Sequence, residues 1–305
     1  MAFIRSFGAY VPARVVTNAE LAARLGCEAA WILNASGIAE RRYAGDAESV
    51  VDMGVLAGQD CLSRAGAAQV GMVIVSSGSS ERRFPGPAAE VAAKLGLAGV
   101  PAVDVPMASA GSLFGLAMAA DFAASCGQVL LIAAEKMSTT VSTDKNTAIL
   151  FGDGAGACLV DSKEGIAELV RWELHSDGTF TEALRLEFGQ PLHMDGGTVI
   201  MQAARKVPAV IREVLDRTGH PASAIGAFLM HQANQNLIVR IARSLEVPAE
   251  KFFSNIGRYG NTSSASMLIA AAEWNAVAGF RRGQPVIFGA FGAGFHWGAL
   301  LALGS

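Results

Sequence analysis

The sequence predicts an α/β fold, in which buried strands alternate with helices. Hydrophobic residues make up 51% of the 305 residues and charged residues 17%, which is enough apolar material for a large core and a subunit interface. Short runs rich in Val, Ile and Leu alternate with longer stretches whose apolar residues recur at helical spacing. Such alternation is typical of largely buried sheets covered by helices.

The first part of the chain contains strand candidates separated by helix candidates. The predicted strands are 72–77, 101–105, 128–135 and 148–151, and the predicted helices are 48–65, 88–95 and 110–124. The strand runs are short and rich in β-branched residues, whereas the helix runs are longer and more mixed.

The alternation restarts after residue 165. We predict a strand at 166–176, helices at 199–218, 234–245 and 263–278, a strand at 227–230 and a terminal hairpin within 285–303. The last stretch carries no Asp, Glu, Lys or Arg and is long enough to cross a membrane. Its glycines and its histidine divide it in two, which favours a buried β-hairpin instead.

The two parts have similar ends. "FGDGAGACLV" (151–160) closes the first and "FGAFGAGFHWGALL" (288–301) closes the second. This weak similarity suggests a duplicated α/β unit, with an N-terminal half at 1–164 and a C-terminal half at 165–305.

Several classes of protein are disfavoured by composition. The net charge of −3 gives no basic surface for nucleic acid. Four cysteines without CxxC spacing argue against zinc and disulfides, and they fit a reduced cytoplasm. Arg5 precedes a short mixed segment rather than the apolar core of a signal peptide. "GDGAGA" lacks dinucleotide-binding spacing, so we expect neither a metal nor a redox cofactor.

Three polar residues lie where strands give way to helices. Ser109, in "AVDVPMASAGSLFGLAMAADF" (102–122), occupies a turn that could present a nucleophile. His231 in "MHQANQNLI" and Asn261 in "RYGNTSSAS" could supply a proton carrier and an oxyanion donor. A single histidine at a turn is more often structural, however, and an asparagine at a helix start is usually a cap.

Together these motifs resemble the thiolase-like condensing enzymes, most closely the β-ketoacyl-acyl-carrier-protein synthase III family. The segments that carry the resemblance are "GAYVPARVVTNAEL", "WILNASGIAERR", "ILFGDGAGA", "HQAN", "YGNTSSAS" and "FGAGFHWG". The resemblance implies two βαβαβαββ halves packed in five αβαβα layers, a homodimer and a buried Cys–His–Asn site. It also implies an acyl thioester substrate, carried by coenzyme A or by acyl-carrier protein, and no cofactor.

The resemblance assigns roles to individual residues. His231 and Asn261 match the catalytic histidine and asparagine, and the backbone N–H groups of Ser109 and Ala293 match the oxyanion hole. Ser109 itself replaces the nucleophilic cysteine. A serine hydroxyl is much harder to ionise than a thiol and needs a general base, for which His231 is the candidate.

The serine leaves several alternatives open. In the first, Ser109 is acylated with the help of His231, and the acyl group passes to an acceptor by condensation or simple transfer. In the second, Ser109 is inert and the protein is a scaffold or the partner of an active paralogue. In the third, Ser109 is an engineered trap in an ordinary condensing enzyme. Hydrolysis is a further rival, disfavoured because G-x-S-x-G and an acidic partner for His231 are missing.

The expected substrate-binding residues are Trp31, Lys145, Phe84 and Asn234, which match family positions. Trp31 matches a tryptophan that stacks on the adenine of coenzyme A, and Phe84 matches a residue that reaches across the dimer to the acyl pocket. Four positions depart from the family. Ala35 and Lys145 stand where arginines are usual, and the neutral residues Gln202 and Asn236 replace basic ones that dock the carrier.

Overall fold

The computed structural model describes residues 1–142 and 144–305. The strands are β1 (Phe3–Tyr10), β2 (Arg14–Thr17), β3 (Glu40–Tyr43), β4 (Val70–Ser76), β5 (Ala102–Val105), β6 (Gln128–Lys136), β7 (Asp153–Asp161), β8 (Ala167–Ser176), β9 (Leu184–Arg185), β10 (His193–Met194), β11 (Ala227–Met230), β12 (Phe252–Phe253), β13 (Pro285–Gly292) and β14 (His296–Gly304). The α-helices are α1 (Asn18–Leu25), α2 (Ala29–Ser36), α3 (Val50–Ala65), α4 (Pro87–Lys94), α5 (Gly111–Cys126), α6 (Lys145–Ala148), α7 (Gly196–Thr218), α8 (Gln235–Ser244), α9 (Ile256–Tyr259) and α10 (Ser266–Val277).

The strands of the main sheet follow the order β12-β11-β13-β14-β8-β1-β7-β6-β4-β5. In the first half, β4 pairs in parallel with β5 and β6, and β7 continues antiparallel to β6 and β1. In the second half, β11 pairs in parallel with β12 and β13, and β14 continues antiparallel to β13 and β8. The same arrangement of five strands therefore occurs twice. The halves meet where Phe3 of β1 pairs with Glu168 of β8.

The helices form three layers around these strands. The helices α5 and α10 lie between the two halves, where α5 contacts both β6 and β14, and α10 contacts both β7 and β11. The helices α3 and α4 cover the outer face of the first half, and α7 covers β8, β13 and β14 with α8 beside it. The molecule therefore has five layers in the order αβαβα, which confirms the predicted fold class.

The central helices have the composition that burial between two sheets requires. The sequence of α5, GSLFGLAMAADFAASC, is small or apolar around most of its circumference, as expected of a helix in contact with protein on both sides. A Cβ at Gly115 would lie 2.5 Å from Leu131 Cδ1, so α5 packs closely against β6 at this position. Ser109 lies just before the start of this helix.

Most of the predicted elements are confirmed within a few residues, including the terminal hairpin formed by β13 and β14. No helix among the described residues is both long and apolar enough to span a bilayer. One prediction was wrong: 148–151 is not a strand. Residues Lys145–Ala148 form the short helix α6, and Phe151 makes a single bridge to Asn261.

Other elements were missed because their local signal is weak. The strand β7 begins DGAGA, and glycine disfavours strands in isolation. In the fold, a Cβ at Gly156 would lie 2.6 Å from Leu268 Cβ, so close packing of α10 against β7 explains the glycine. The elements before residue 44, the short pair β9–β10 and the two-residue strand β12 also lacked clear periodicity.

Candidate active site

Ser109 lies in a tight turn between β5 and α5. Its φ angle is 58°, in the left-handed region that residues other than glycine rarely adopt. The Ala110 N–H donates to the Ala108 carbonyl over 2.6 Å, so Ser109 is the central residue of a γ-turn. Ser109 is buried, at 8% exposure, and lies one residue before Ala110, the N-cap residue of α5. A strained backbone at this point is a common mark of a functional residue.

The turn is held against a second backbone segment. A Cβ at Gly292, the last residue of β13, would lie 2.6 Å from the Ala108 carbonyl oxygen and 2.8 Å from Ser109 Cβ. Position 292 therefore requires glycine. This contact brings the "GAG" turn of the second half to the nucleophile candidate of the first.

His231 follows β11 directly and is almost fully buried. Its backbone N–H donates to the Gly289 carbonyl over 2.8 Å, and its Nδ1 lies 2.6 Å from Ser266 Oγ. Ser266 Oγ also accepts the Gln232 N–H over 3.0 Å, which fixes the hydroxyl beside the imidazole. Burial lowers the pKa of His231 to about 4, against a weaker opposing effect of a hydrogen bond to the Ser263 backbone. The imidazole is therefore neutral at pH 7 and able to accept a proton.

Asn261 is held by backbone on both sides. Its N–H donates to the Leu150 carbonyl over 2.8 Å, and its carbonyl accepts the Gly152 N–H over 3.1 Å. Its side-chain Oδ1 accepts the Ser263 N–H over 2.9 Å. With the oxygen engaged, the Nδ2 group of Asn261 is the part of the amide left to donate to a ligand.

One cavity of about 270 Å³ contains all three predicted catalytic residues in its wall, together with Ala293. Together with Ala293, these three residues come from four loops of the two halves. The remaining lining is mainly apolar and includes Met107, Met137, Leu184, Leu192, Met194, Val199, Ile200, Ala203, Val207, Met230, Leu237, Ile241 and Phe291. Such a wall suits an apolar chain attached to a reactive polar group.

The two predicted oxyanion donors differ in whether they already have a hydrogen-bond acceptor. The Ser109 N–H donates to Ser263 Oγ over 3.0 Å and so already has an acceptor. Within residues 1–142 and 144–305, the Ala293 N–H makes no hydrogen bond. The oxyanion role of both groups stays a prediction, and Ser263 competes for the first of them.

Trp31 and Lys145 come together outside this cavity. The Lys145 Nζ lies 5.5 Å from the centroid of the Trp31 ring, within range of a cation–π interaction. Beside them, Asn236 Nδ2 donates to the Ala35 carbonyl over 3.3 Å and Asn234 Nδ2 donates to the same oxygen over 3.0 Å. We call these five residues the mouth cluster.

The other predicted binding residues have varied surroundings. Asn234 lines the cavity, but its Oδ1 caps α8 by accepting the N–H groups of Asn236 and Leu237. Its role in binding substrate therefore stays a prediction. Gln202 is buried and accepts a hydrogen bond from Arg205 over 3.2 Å. Phe84 is 86% exposed, so it is not an ordinary core residue of this chain.

Sequence reasoning missed the groups that surround the three candidates. These are Ser263, Ser266, Gly292 and Glu135, a fully buried carboxylate next to the "TSSAS" loop. The only available signal was the run of serines after Asn261, which no periodicity explains. In the described part of the chain, no three His, Cys, Asp or Glu side chains cluster tightly enough to hold a metal ion.

Comparison with known proteins gives a consistent answer over the whole chain. Residues 103–178 match the family model described as 3-oxoacyl-[acyl-carrier-protein (ACP)] synthase III, and residues 215–303 match the model of its C-terminal part. A β-ketoacyl-[acyl-carrier-protein] synthase III from Vibrio vulnificus is 34% identical over 306 residues, covering 96% of both chains.

Solved structures agree with the sequence relatives. The synthase III from Aquifex aeolicus has a TM-score of 0.96 at 33% identity, covering 99% of this chain and 100% of the other. A priming β-ketosynthase of a polyketide pathway has a TM-score of 0.93 at 30% identity, covering 100% of this chain and 97% of the other. With these likenesses, and with Ser109, His231 and Asn261 around one cavity, the chain belongs to the 3-oxoacyl-[acyl-carrier-protein] synthase III family of thiolase-like transferases.

Proposed function

We propose that the protein is an acyltransferase that forms an acyl-enzyme on Ser109. The observation that carries this proposal is the γ-turn of Ser109, which is seated in the same cavity as a neutral His231 and the free Nδ2 group of Asn261. A strained turn, a base and a hydrogen-bond donor in one apolar cavity are the parts that acyl transfer needs.

The first reaction transfers the acyl group from a thioester. His231 takes the proton of the Ser109 hydroxyl while the oxygen attacks the thioester carbonyl. Asn261 Nδ2 and the Ala293 N–H donate to the oxyanion that develops. The carbon–sulfur bond then breaks, and the thiol leaves with the proton that His231 returns. No resident metal or redox group takes part in this scheme.

The second reaction releases the acyl group from Ser109. In a condensation, a malonyl thioester loses carbon dioxide, its carbanion attacks the ester carbonyl, and the Ser109 oxygen leaves and regains a proton. In a simple transfer, an alcohol or amine takes the place of the carbanion. An ester is a weaker electrophile than a thioester toward carbon, so condensation is the more demanding route from Ser109.

None of the four cysteines, Cys27 included, lines the cavity that holds Ser109, so none is placed to replace the missing thiol. Cys126 ends α5, and a 16-residue helix at about 1.5 Å per residue separates it from the start by about 24 Å. Cys61 and Cys158 are fully buried, and burial raises the pKa of both thiols. The alternative proposal follows from this: the chain is a non-catalytic partner of an active condensing enzyme, or a variant of one with cysteine changed to serine.

The substrate is an acyl thioester of coenzyme A or of an acyl-carrier protein, in a fatty-acid or polyketide pathway. The apolar cavity wall supports an acyl chain, and the names of the relatives support the carrier. Trp31 and Lys145 support a donor that carries a nucleotide, because they offer one aromatic ring and one positive charge side by side. Four free cysteines and this chemistry favour the cytoplasm.

We further propose that the protein works as a homodimer. Apolar side chains are exposed on the edge strand β5 and on α5, including Val103 at 37% and Phe122 at 38%. Phe84, at 86% exposure, belongs to the same side because the loop that carries it packs on β5 through Gly86 and Asp104. An obligate interface buries more than ~2,000 Å². Sedimentation that gave a stable monomer at micromolar concentration would contradict the dimer.

The decisive experiment measures the intact mass after incubation with a panel of acyl thioesters. Wild-type protein and the Ser109→Cys variant are compared, and β-keto product is followed by chromatography with a malonyl thioester present. A serine acyltransferase shows an acyl adduct on the wild type. A condensing site that lost only its thiol shows adduct and product in Ser109→Cys alone. If neither protein ever carries an acyl group, the catalytic proposal is wrong and the non-catalytic alternative stands.

A further inference from the structure

A buried polar cluster lies next to the candidate active site and is not used by the reaction described above. Its centre is Glu135 of β6, which is fully buried. The carboxylate accepts hydrogen bonds from Ser79 Oγ over 2.5 Å, the Gly78 N–H over 3.0 Å, Ser264 Oγ over 2.6 Å and Ser263 Oγ over 3.0 Å. The first two donors belong to the N-terminal half and the last two to the C-terminal half. Glu135 therefore joins the halves at the site.

Ser263 connects this carboxylate to two of the three predicted catalytic residues. Its Oγ accepts the Ser109 N–H over 3.0 Å, and its own N–H donates to Asn261 Oδ1 over 2.9 Å. A single residue thus contacts the turn of the proposed nucleophile and the amide of the proposed oxyanion donor.

The direction of these hydrogen bonds follows from what each group can offer. An ionised carboxylate only accepts, so the Ser263 hydroxyl hydrogen points to Glu135 and a lone pair remains for the Ser109 N–H. Several donors converge on the two oxygens of Glu135, which suits the ionised form. Burial raises the pKa of Glu135, and the hydrogen bonds from Ser264, Ser79, Gly78 and Ser263 oppose that effect.

Two strained backbones meet in this arrangement. Ser263 has a φ of 48° and Ser109 a φ of 58°, and neither is glycine. Such conformations persist where surrounding contacts determine them, and the bond between these two residues is one such contact. Loss of the Ser263 hydroxyl would deprive the Ser109 N–H of its acceptor and the Glu135 carboxylate of one donor.

We propose that Glu135 and Ser263 are a positioning pair that holds the Ser109 turn and the Asn261 amide in their reactive orientation. Ser263 belongs to the cavity wall and Glu135 does not, and we assign both a role through the groups they hold rather than through the substrate. This inference rests on the proposed acyl transfer for its meaning in catalysis. The geometry it describes can be tested without any acyl substrate.

The test uses Ser109→Cys protein, which carries a thiol that reagents can report on. Ser263→Ala and Ser264→Ala are added separately. Each deletes one hydroxyl that donates to Glu135, but only the Ser263 hydroxyl also contacts residue 109. Intact mass gives the rate of alkylation by iodoacetamide, and the maximal rate and half-saturating concentration for acylation by an acyl thioester.

We expect Ser263→Ala to lower the alkylation rate and the maximal acylation rate by about tenfold or more, because small misplacements of reacting groups have large effects. The half-saturating thioester concentration should stay within twofold, since Ser263→Ala removes one hydroxyl and leaves the apolar lining of the cavity unchanged. Ser264→Ala should change each rate by less than threefold. Glu135→Gln should follow Ser263→Ala, because it disturbs the acceptor to which the Ser263 hydroxyl is bound.

Two results would overturn the proposal. One is an equal effect of Ser263→Ala and Ser264→Ala, which would mean that the cluster only stabilises the fold and does not position residue 109. The other is faster alkylation in Ser263→Ala, which would mean that Ser263 restrains the Ser109 N–H rather than positions it. Urea midpoints of all variants check the fold. If Ser263→Ala does not fold, Ser263→Gly decides, since glycine adopts a φ of 48° without strain.

Because alkylation needs no acyl thioester, the two proposals fail separately. Wild-type protein that never carries an acyl group would refute acyl transfer on Ser109. The alkylation rates would still show whether Ser263 and Glu135 position residue 109.

Discussion

The floor of the cavity and its mouth are built in different ways. At the floor, Ser109, His231 and Asn261 are each 8% exposed or less, and their backbones and side chains are held by short hydrogen bonds. At the mouth, Lys145 is an exposed side chain that rests on the half-buried ring of Trp31. The contrast shows that the residues proposed for the chemistry are held in a fixed geometry. The residues proposed to recognise the donor make weaker contacts, which can be exchanged at smaller cost.

The largest effect is expected at the floor, from loss of the base. His231→Ala should slow acylation of Ser109 by on the order of 10³-fold or more, because nucleophile and base act as a unit. Intact mass over time measures the rate. His193→Ala, which removes an exposed histidine outside the cavity wall, is the control and should leave the rate unchanged. Equal rates in wild type and His231→Ala would remove His231 from the mechanism.

The next effect concerns the amide donor at the floor. Asn261→Ala should lower the maximal acylation rate by about 10²- to 10³-fold, the usual effect of losing one oxyanion donor. Asn261→Asp keeps an oxygen for the Ser263 N–H but lacks the donor, so it should be no faster than Asn261→Ala. If Asn261→Asp retains the wild-type rate, the residue acts only by holding the loop.

A smaller effect is expected at the mouth. Lys145→Met keeps an unbranched chain against Trp31 but removes the charge that would pair with a phosphate of the donor, and an exposed ion pair contributes about 0.2–1 kcal/mol. The half-saturating concentration of an acyl-coenzyme A should therefore rise by no more than about fivefold, because 1.4 kcal/mol corresponds to tenfold. The same acyl group on pantetheine, which lacks the nucleotide, is the control. An equal rise for both donors would show that the mouth cluster does not recognise the nucleotide.

The smallest change is expected from pH. Since burial lowers the pKa of His231 to about 4, the folded protein keeps this imidazole neutral throughout the range from pH 8 to pH 5.5. The maximal acylation rate should vary by less than about twofold over that range and fall only as the pH approaches the lowered pKa. A tenfold fall in the maximal acylation rate centred near pH 6.5 would show that His231 titrates as an exposed histidine. It would contradict the burial of this residue at the floor of the cavity.

The sequence predicts some levels of this structure much better than others. The strands β6, β13 and β14 could be predicted because a buried strand has a short, nearly continuous apolar run in its sequence. The strand β7 was missed because its glycines serve contacts with α10, which local sequence does not show.

The residues of the site also differ in how well the sequence predicts them. His231 and Asn261 could be found because each lies in a polar turn that matches a family motif, and Ser109 because it stands at the motif's cysteine position. The expectation that all three follow strands holds for Ser109 and His231 but is wrong for Asn261, which follows the short helix α9. Glu135 could not, since its donors come from residues 78–79 and 263–264, far away along the chain. A buried carboxylate at the end of an apolar run has no distinct pattern of its own.

The turn at Ser109 has a consequence for how such enzymes diverge. Its shape is held by neighbouring residues, through the close approach of Gly292 and the hydrogen bond from the Ser109 N–H to Ser263 Oγ. These contacts involve the backbone and Cβ of residue 109 and not its hydroxyl. The atom proposed as nucleophile, oxygen or sulfur, can therefore change without rebuilding the neighbouring loops. A lineage can thus replace the reactivity of the site in a single step while its architecture, and with it the capacity to return, is inherited intact.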